Sequence, residues 1–242
     1  LAILSCFSDK EPVLRVSDFT KKLNLTQSNV SRLLSTMVQL GYVVKDEFSG
    51  SYRLGPEIVT LGGIALNNYE IRRHALPELF ELENKVHLDS NLAILDGNSI
   101  FYLAHVDHYK SPRMYTFVGR RNAIHCTGIG KVLLAHMPEE KADELLRSQP
   151  LGKFTDHTIT EVEAVKSQFA TIRKHGYALE REELILGRAC LAAPVFDNSG
   201  EVIAGISISG SISKLTEESR EQLSQILVEM AGRVSSKMGF FN

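Results

Sequence analysis

Between Val16 and Gly41 the apolar residues return at helical intervals, in two short runs separated by a tight connection. The first run passes through Phe19 and Leu23, with Ser17 placed to cap its start and Asn24 suited to the left-handed backbone that ends a helix. Thr26 is placed to cap the second run. There Val30, Leu33, Leu34, Met37 and Leu40 fall on one stripe, and Gly41 supplies a stop. The stripe predicts a buried face, which leaves Ser28, Ser31, Arg32, Ser35 and Gln39 opposite it. Leu1–Phe7 reads as a further short helix.

After Gly41 the period changes. Tyr42-Val43-Val44, the polar Lys45-Asp46-Glu47, a Ser49-Gly50 turn and Ser51-Tyr52-Arg53-Leu54 predict a β-hairpin. Helix, short turn, helix and hairpin together match a winged helix-turn-helix, with Leu25 available to set the angle between the helices. Gln27, Ser28 and Asn29 occupy the first turn of the second helix, the part such a motif presents to base edges, with Ser31 and Arg32 following. Lys45 and Arg53 stand where a wing meets phosphates. A polar stripe taken alone is better read as a merely solvated helix face, and the helix-turn-helix spacing, the hairpin and the local charge shift that balance. Local charge separates the readings: residues 20–55 hold five cations against two carboxylates, a local +3 in a chain of net charge −2.

Gly55-Pro56 ends the hairpin, and Ile58, Leu61, Ile64 and Leu66 predict a connecting helix weakened by Gly62-Gly63. The expected organisation is a DNA-binding domain at 1–55, a linker helix at 56–69 and a second domain at 70–242. In the second domain Ile71–Val86 reads as an amphipathic helix with Leu76, Leu79, Phe80 and Leu82 inward. Strands are expected at Asn91–Leu95, Ser99–Val106 and Met114–Val118, with an Asp96-Gly97-Asn98 turn between the first two. Helices are expected at Gly128–His136, Pro138–Arg147 and Glu161–His175, then strands at Cys190–Phe196 and Val202–Ser209, then a closing helix from Thr216. Adjacent hairpins imply antiparallel pairing and an α+β class.

Composition excludes several classes. At 242 residues, 43% hydrophobic and 23% charged, the chain has the makings of two packed domains, and no apolar run approaches the roughly 20 residues of a membrane span. Three cysteines without a CxxC pair indicate neither a disulfide framework nor a zinc ribbon, which fits a reducing cytoplasm. Gly128-Ile129-Gly130-Lys131 resembles the end of a phosphate loop, but His125 and Val132 stand where that loop needs Gly and Ser or Thr. Gly205–Ser209 misses the hydrolase nucleophile elbow at its last position. The reading is therefore non-enzymatic, with no catalytic residue, no cofactor and no metal. His125, Cys126 and Cys190 are a weak metal candidate, because adjacent ligands on a strand face opposite ways. Two features point to a small anionic ligand: Thr127-Gly128-Ile129-Gly130 opens a helix, and Ser207 and Ser209 share a strand face. Glycines that only form a turn, and serines that face solvent, remain the alternative.

Several ordered segments resemble the IclR family of bacterial transcription regulators over essentially the whole chain. They are Leu1–Phe7, the helix-turn-helix and wing ending Tyr52-Arg53-Leu54-Gly55, His87-Leu88 with Leu95-Asp96-Gly97, His125–Lys131, Cys190–Phe196 and Ile206–Gly210. The resemblance implies a GAF-like antiparallel-sheet sensor domain and a homodimer or homotetramer on near-palindromic double-stranded DNA. It also implies control of catabolic genes by a small carboxylic acid, as repressor or else as activator; an enzyme carrying a winged-helix docking module is the rival from another class. It places the effector at Met114, Asn122, Gly128, Ile129, Glu180, Cys190, Ser207 and Ser209. Two positions depart from the family pattern: Arg188 stands where an apolar residue is usual, with Ala189 where Arg is frequent, and Asn122 replaces a commonly apolar residue. An inward Arg188 would clamp an anion bidentately, which favours a polar effector such as a sugar acid.

Overall fold

A computed structural model of the chain describes residues 1–111 and 116–241. The chain divides into two compact units, Leu1–Tyr69 and Glu70–Asn242.

The first unit is built around α1 (Val16–Leu23) and α2 (Gln27–Gln39). Asn24 ends α1 at φ 51°, and Thr26 caps α2 by accepting the Asn29 N–H at 3.4 Å. Ser17 does not cap α1. Arg15 holds that position, and its N–H donates to the Asp18 carboxylate at 2.7 Å, which leaves Ser17 inside the helix. The α2 stripe is narrower than its spacing predicts: Val30 and Leu34 are fully buried, while Leu33 and Leu40 are exposed. Leu1–Phe7 is not a helix but holds a single 3-10 turn, Leu4–Cys6. Its Ile3 and Cys6 still join Leu14, Phe19, Val30, Leu34, Val43 and Tyr52 in one core. The hairpin pairs β2 (Val43–Lys45) with β3 (Tyr52–Leu54), and a two-residue β1 (Val13–Leu14) adds to the other edge of β3. Gly55 follows β3 where no other residue fits, since a Cβ there would lie 2.1 Å from the Gly41 carbonyl oxygen. Next, α3 (Pro56–Asn67) runs unbroken through Gly62-Gly63 with none of its residues buried.

The second unit is a six-stranded antiparallel sheet. Its strands are β4 (Asp89–Asp96), β5 (Ser99–Val106), β6 (Arg121–Ala123), β7 (Ala178–Arg181), β8 (Arg188–Phe196) and β9 (Val202–Ser211), in the order β6-β5-β4-β9-β8-β7. The strand expected at Met114–Val118 is absent from its described part: residues 116 and 117 are irregular, a turn lies at 118–119, β6 follows instead, and Met114 lies outside the described residues. The apolar residues of α4 (Glu70–Val86) are buried as expected at Leu79 and Leu82, but Phe80 points outward and is half exposed. The stretch 161–175 is not one helix. It breaks into α7 (Val162–Lys166) and α8 (Phe169–His175), after α5 (Gly128–His136) and α6 (Glu139–Arg147). The closing α9 (Glu217–Lys237) packs beside α4 and β8.

Residues directly opposite each other on paired strands share a face. The registers Glu180↔Cys190, Cys190↔Ser209, Ala192↔Ser207, Asn91↔Ser207 and Tyr102↔Ala93 therefore put the polar groups of five strands on one side of the sheet. That is the side on which α5 packs.

Candidate functional site

In the first unit the outward face of α2 is polar and open. Gln27, Ser28, Asn29, Ser31 and Arg32 are all exposed, and the Arg32 guanidinium donates to Asn29 Oδ1 at 3.5 Å. The hairpin separates its two cations. Val44 pairs with Arg53 and Lys45 with Tyr52, so Arg53 lies on one face and Lys45 on the other, the face whose Tyr52 reaches the core. Lys45 is also 3.4 Å from Glu47, whereas the exposed Arg53 stands opposite Val13 and Val44. Asp46 closes the tip, accepting the N–H groups of Phe48 and Ser49, and these bonds hold its carboxyl below the usual range.

The second unit contains a pocket of about 520 Å³, counted to its open mouth, between the polar sheet face and the start of α5. Its walls include Asn122, Gly128, Ile129, Glu180, Arg188, Cys190, Ser207 and Ser209, so eight of the nine residues expected to hold an effector come together. The ninth, Met114, is outside the described residues.

Each wall group has a local cause. Thr127 caps α5, its hydroxyl accepting the Gly130 N–H at 3.2 Å and donating to the Ala123 carbonyl at 3.1 Å. Gly130 is required by backbone contact, because a Cβ would lie 1.9 Å from the Ile124 carbonyl oxygen. A Cβ on Gly128 would press on Cys190 Sγ at 3.0 Å. The glycines thus let the positive end of a helix settle directly onto the sheet.

Arg188 opens β8 with its side chain mostly buried, and its Nη2 donates to Asp89 Oδ2 at 2.9 Å and to Ser209 Oγ at 3.3 Å. Asn91 donates to Ser207 Oγ at 3.2 Å, and its own carbonyl oxygen lies 2.7 Å from His105 Nδ1. Glu180 accepts the N–H groups of Glu183 and Leu184, yet burial outweighs them and pushes its carboxyl up to about 7. Burial also raises the Cys190 and Cys126 thiols to about 12, so neither is a nucleophile near neutral pH. The weak metal candidate does not assemble: His125 bonds the Gly152 carbonyl at 3.0 Å instead.

The sequence reading also missed the wall residues Asn91, Tyr102 and Thr116, of which Tyr102 and Thr116 carried no readable signal. For Asn91 there was one available hint, an amide at the start of an otherwise apolar strand. Behind the pocket Lys131 is almost wholly buried and ion-paired with Glu183, a pair that spacing could not reveal.

The description of the C-terminal domain of IclR bacterial transcriptional regulators matches residues 63–236, and that of the IclR helix-turn-helix domain matches residues 1–47. The chain belongs to the IclR family. It is a transcription regulator, with a DNA-binding helix-turn-helix and an effector-binding domain, and its relatives are regulators rather than enzymes. It is 35% identical to the regulator KdgR of Dickeya chrysanthemi over 96% of this chain and 76% of that one, and 34% identical to XynR of Escherichia coli over 93% and 91%. The crystal structure of Thermotoga maritima IclR superposes with a TM-score of 0.83 at 30% identity, covering 99% and 96% of the two chains. An IclR homologue of Microbacterium hydrocarbonoxydans, solved with 4-hydroxybenzoate, gives a TM-score of 0.82 at 26% identity over 98% and 95%. Among the described residues no helix is long and apolar enough to cross a membrane.

Proposed function

We propose that this regulator is a cytoplasmic repressor of catabolic genes whose effector is a small, polyhydroxylated carboxylic acid of the sugar-acid class. The observation that carries the reading is Arg188, a guanidinium in the pocket wall within 3.3 Å of Ser209. A guanidinium beside a helix N-terminus favours a carboxylate, and the amides and hydroxyls of Asn91, Asn122, Ser207 and Ser209 offer partners for several hydroxyl groups. An apolar aromatic acid would leave those groups unpaired on burial. A relative of the same fold was solved with 4-hydroxybenzoate, itself a carboxylic acid, which supports that ligand class.

On the DNA side, α2 enters the major groove with Gln27, Ser28, Asn29, Ser31 and Arg32 toward base edges and phosphates, and Arg53, with Lys45, contacts the backbone from the wing. The protein acts as a homodimer or a homotetramer. The exposed apolar residues Val59, Leu61 and Ile64 of α3 support a partner copy on that helix. Effector binding shifts the population of assemblies and so the half-site spacing that fits, which requires different effector affinity in the two states.

A thermal-shift panel of sugar acids, short keto acids and aromatic acids tests the effector class. A sugar acid at a hundredfold its Kd is expected to add about 2.7 kcal/mol of apparent stability, and Arg188→Ala to abolish the shift. A response confined to aromatic acids, or one unchanged in Arg188→Ala, overturns the reading. Release of duplex DNA on adding the same acid supports repression relieved by effector; tighter binding supports activation.

A further inference from the structure

Near the pocket, but separate from it, three ligating side chains meet. Glu83 lies on the last turn of α4, His87 follows one turn later, and His108 lies in the loop after β5. One donor atom from each lies within 4.8 Å of the other two, the one such group among the described residues. His108 Nδ1 is 2.7 Å from Glu83 Oε1, and the rings of His87 and His108 are 5.5 Å apart.

The backbone holds these groups in place. His87 has φ 55°, a left-handed conformation rare for a residue with a Cβ, and its N–H donates to the Glu83 carbonyl at 2.8 Å. That geometry swings the His87 side chain back beside Glu83. His108 is fixed from the other side, where its N–H donates to Asp89 Oδ1 at 3.0 Å. A hydrogen bond between Glu83 and the buried His108 accounts for two members of the cluster but leaves the second imidazole without a role.

We propose that Glu83, His87 and His108 form a binding site for a divalent transition-metal ion of the zinc class. Two imidazoles and one carboxylate are a borderline-soft donor set, which suits such an ion and is too poor in oxygen for calcium or magnesium. Ligands about 2 Å from a tetrahedral ion stand about 3.3 Å from one another, so the Glu83–His108 pair, at 2.7 Å, opens by about 0.6 Å and the donors of His87, at most 4.8 Å from the other two, close by at most about 1.5 Å. His87 is exposed and Glu83 half-buried, so both can make that movement while the buried His108 stays still. The exposed His87 leaves the cluster reachable from solvent.

The full chain, stripped with chelator, is titrated with Zn²⁺ by calorimetry and with Co²⁺ by visible absorption. One equivalent per chain and tetrahedral-type cobalt bands are expected. His87→Ala should weaken binding by roughly a hundredfold or more, and Glu83→Gln comparably. Because His87 is exposed, its variant keeps the fold, which circular dichroism checks independently. Removing His157, an exposed imidazole elsewhere that also stands near a carboxylate, should change nothing. Absence of a stoichiometric ion in the parent protein overturns the proposal, as does undiminished affinity in folded His87→Ala.

Discussion

The two units handle polar chemistry in opposite ways. In the first, every group assigned to DNA stands in water: Gln27, Ser28, Asn29, Ser31, Arg32, Lys45 and Arg53 are all exposed, above a small core. In the second, Glu180 and Ser207 are buried, Arg188 nearly so, and Lys131 is sealed against Glu183. The difference follows from the ligand. Duplex DNA brings its own dense charge and needs only accessible cations, whereas a small molecule must be stripped of water by groups already desolvated and already paired. One surface therefore tolerates substitution without unfolding, and the other does not.

The sharpest contrast should come from Lys131. Lys131→Ala leaves Glu183 charged and unpaired in the interior, and a loss of about 3–5 kcal/mol is expected in urea unfolding of the full chain. Lys131→Met with Glu183→Leu should recover most of it, because removing both charges removes the orphan. A Lys131→Ala protein as stable as the parent would break the contrast. The corresponding truncations in the first unit should leave stability unchanged. Arg32→Ala or Arg53→Ala should each weaken binding to a selected duplex by about 1–3 kcal/mol and lower the slope of affinity against salt, read by fluorescence anisotropy. Because Arg53 and Lys45 face opposite ways across the hairpin, Lys45→Ala is expected to cost less than Arg53→Ala.

The same contrast explains what could be read from the sequence. Determinants in the first unit are local: Thr26, Asn24 and the period of Val30 and Leu34 act within a few residues, so α1, α2 and the hairpin were legible. Leu33 and Leu40 were misplaced because this small core covers only a narrow stripe of α2. The two-residue β1 carries no period of its own and exists only by pairing with β3. In the second unit, strand parity placed Ser207 and Ser209 on one face, and the glycine motif placed the start of α5. Glu180 and Cys190 entered as pocket residues only through family resemblance. Asn91, His105 and the Lys131–Glu183 pair depend on registers between distant segments, which no local pattern encodes. The orientation of Arg188 was left open for the same reason: the register of β8 against β9 decides it.

The smallest expected effect is also the finest probe of burial in the second unit. Glu180 has a carboxyl raised from 4.5 to about 7, chiefly by desolvation, with Glu183 adding repulsion and Lys131 opposing it. The folded protein therefore keeps a proton that the unfolded chain has released between those values. Its contribution to stability is fully present below about 4.5 and is lost as pH rises through about 7. Effector binding should follow the same sign, since ionised Glu180 repels an incoming carboxylate. Above about pH 7 the affinity for the acid chosen by the thermal-shift panel is expected to fall by up to tenfold per pH unit, about 1.4 kcal/mol. Glu180→Gln keeps the shape of the group without its titration and should flatten both profiles. A Gln variant whose affinity still falls through neutral pH would move the titrating group elsewhere, while parent profiles flat across that range would mean that Glu180 is solvated, and its wall of the pocket as wet as the face of α2.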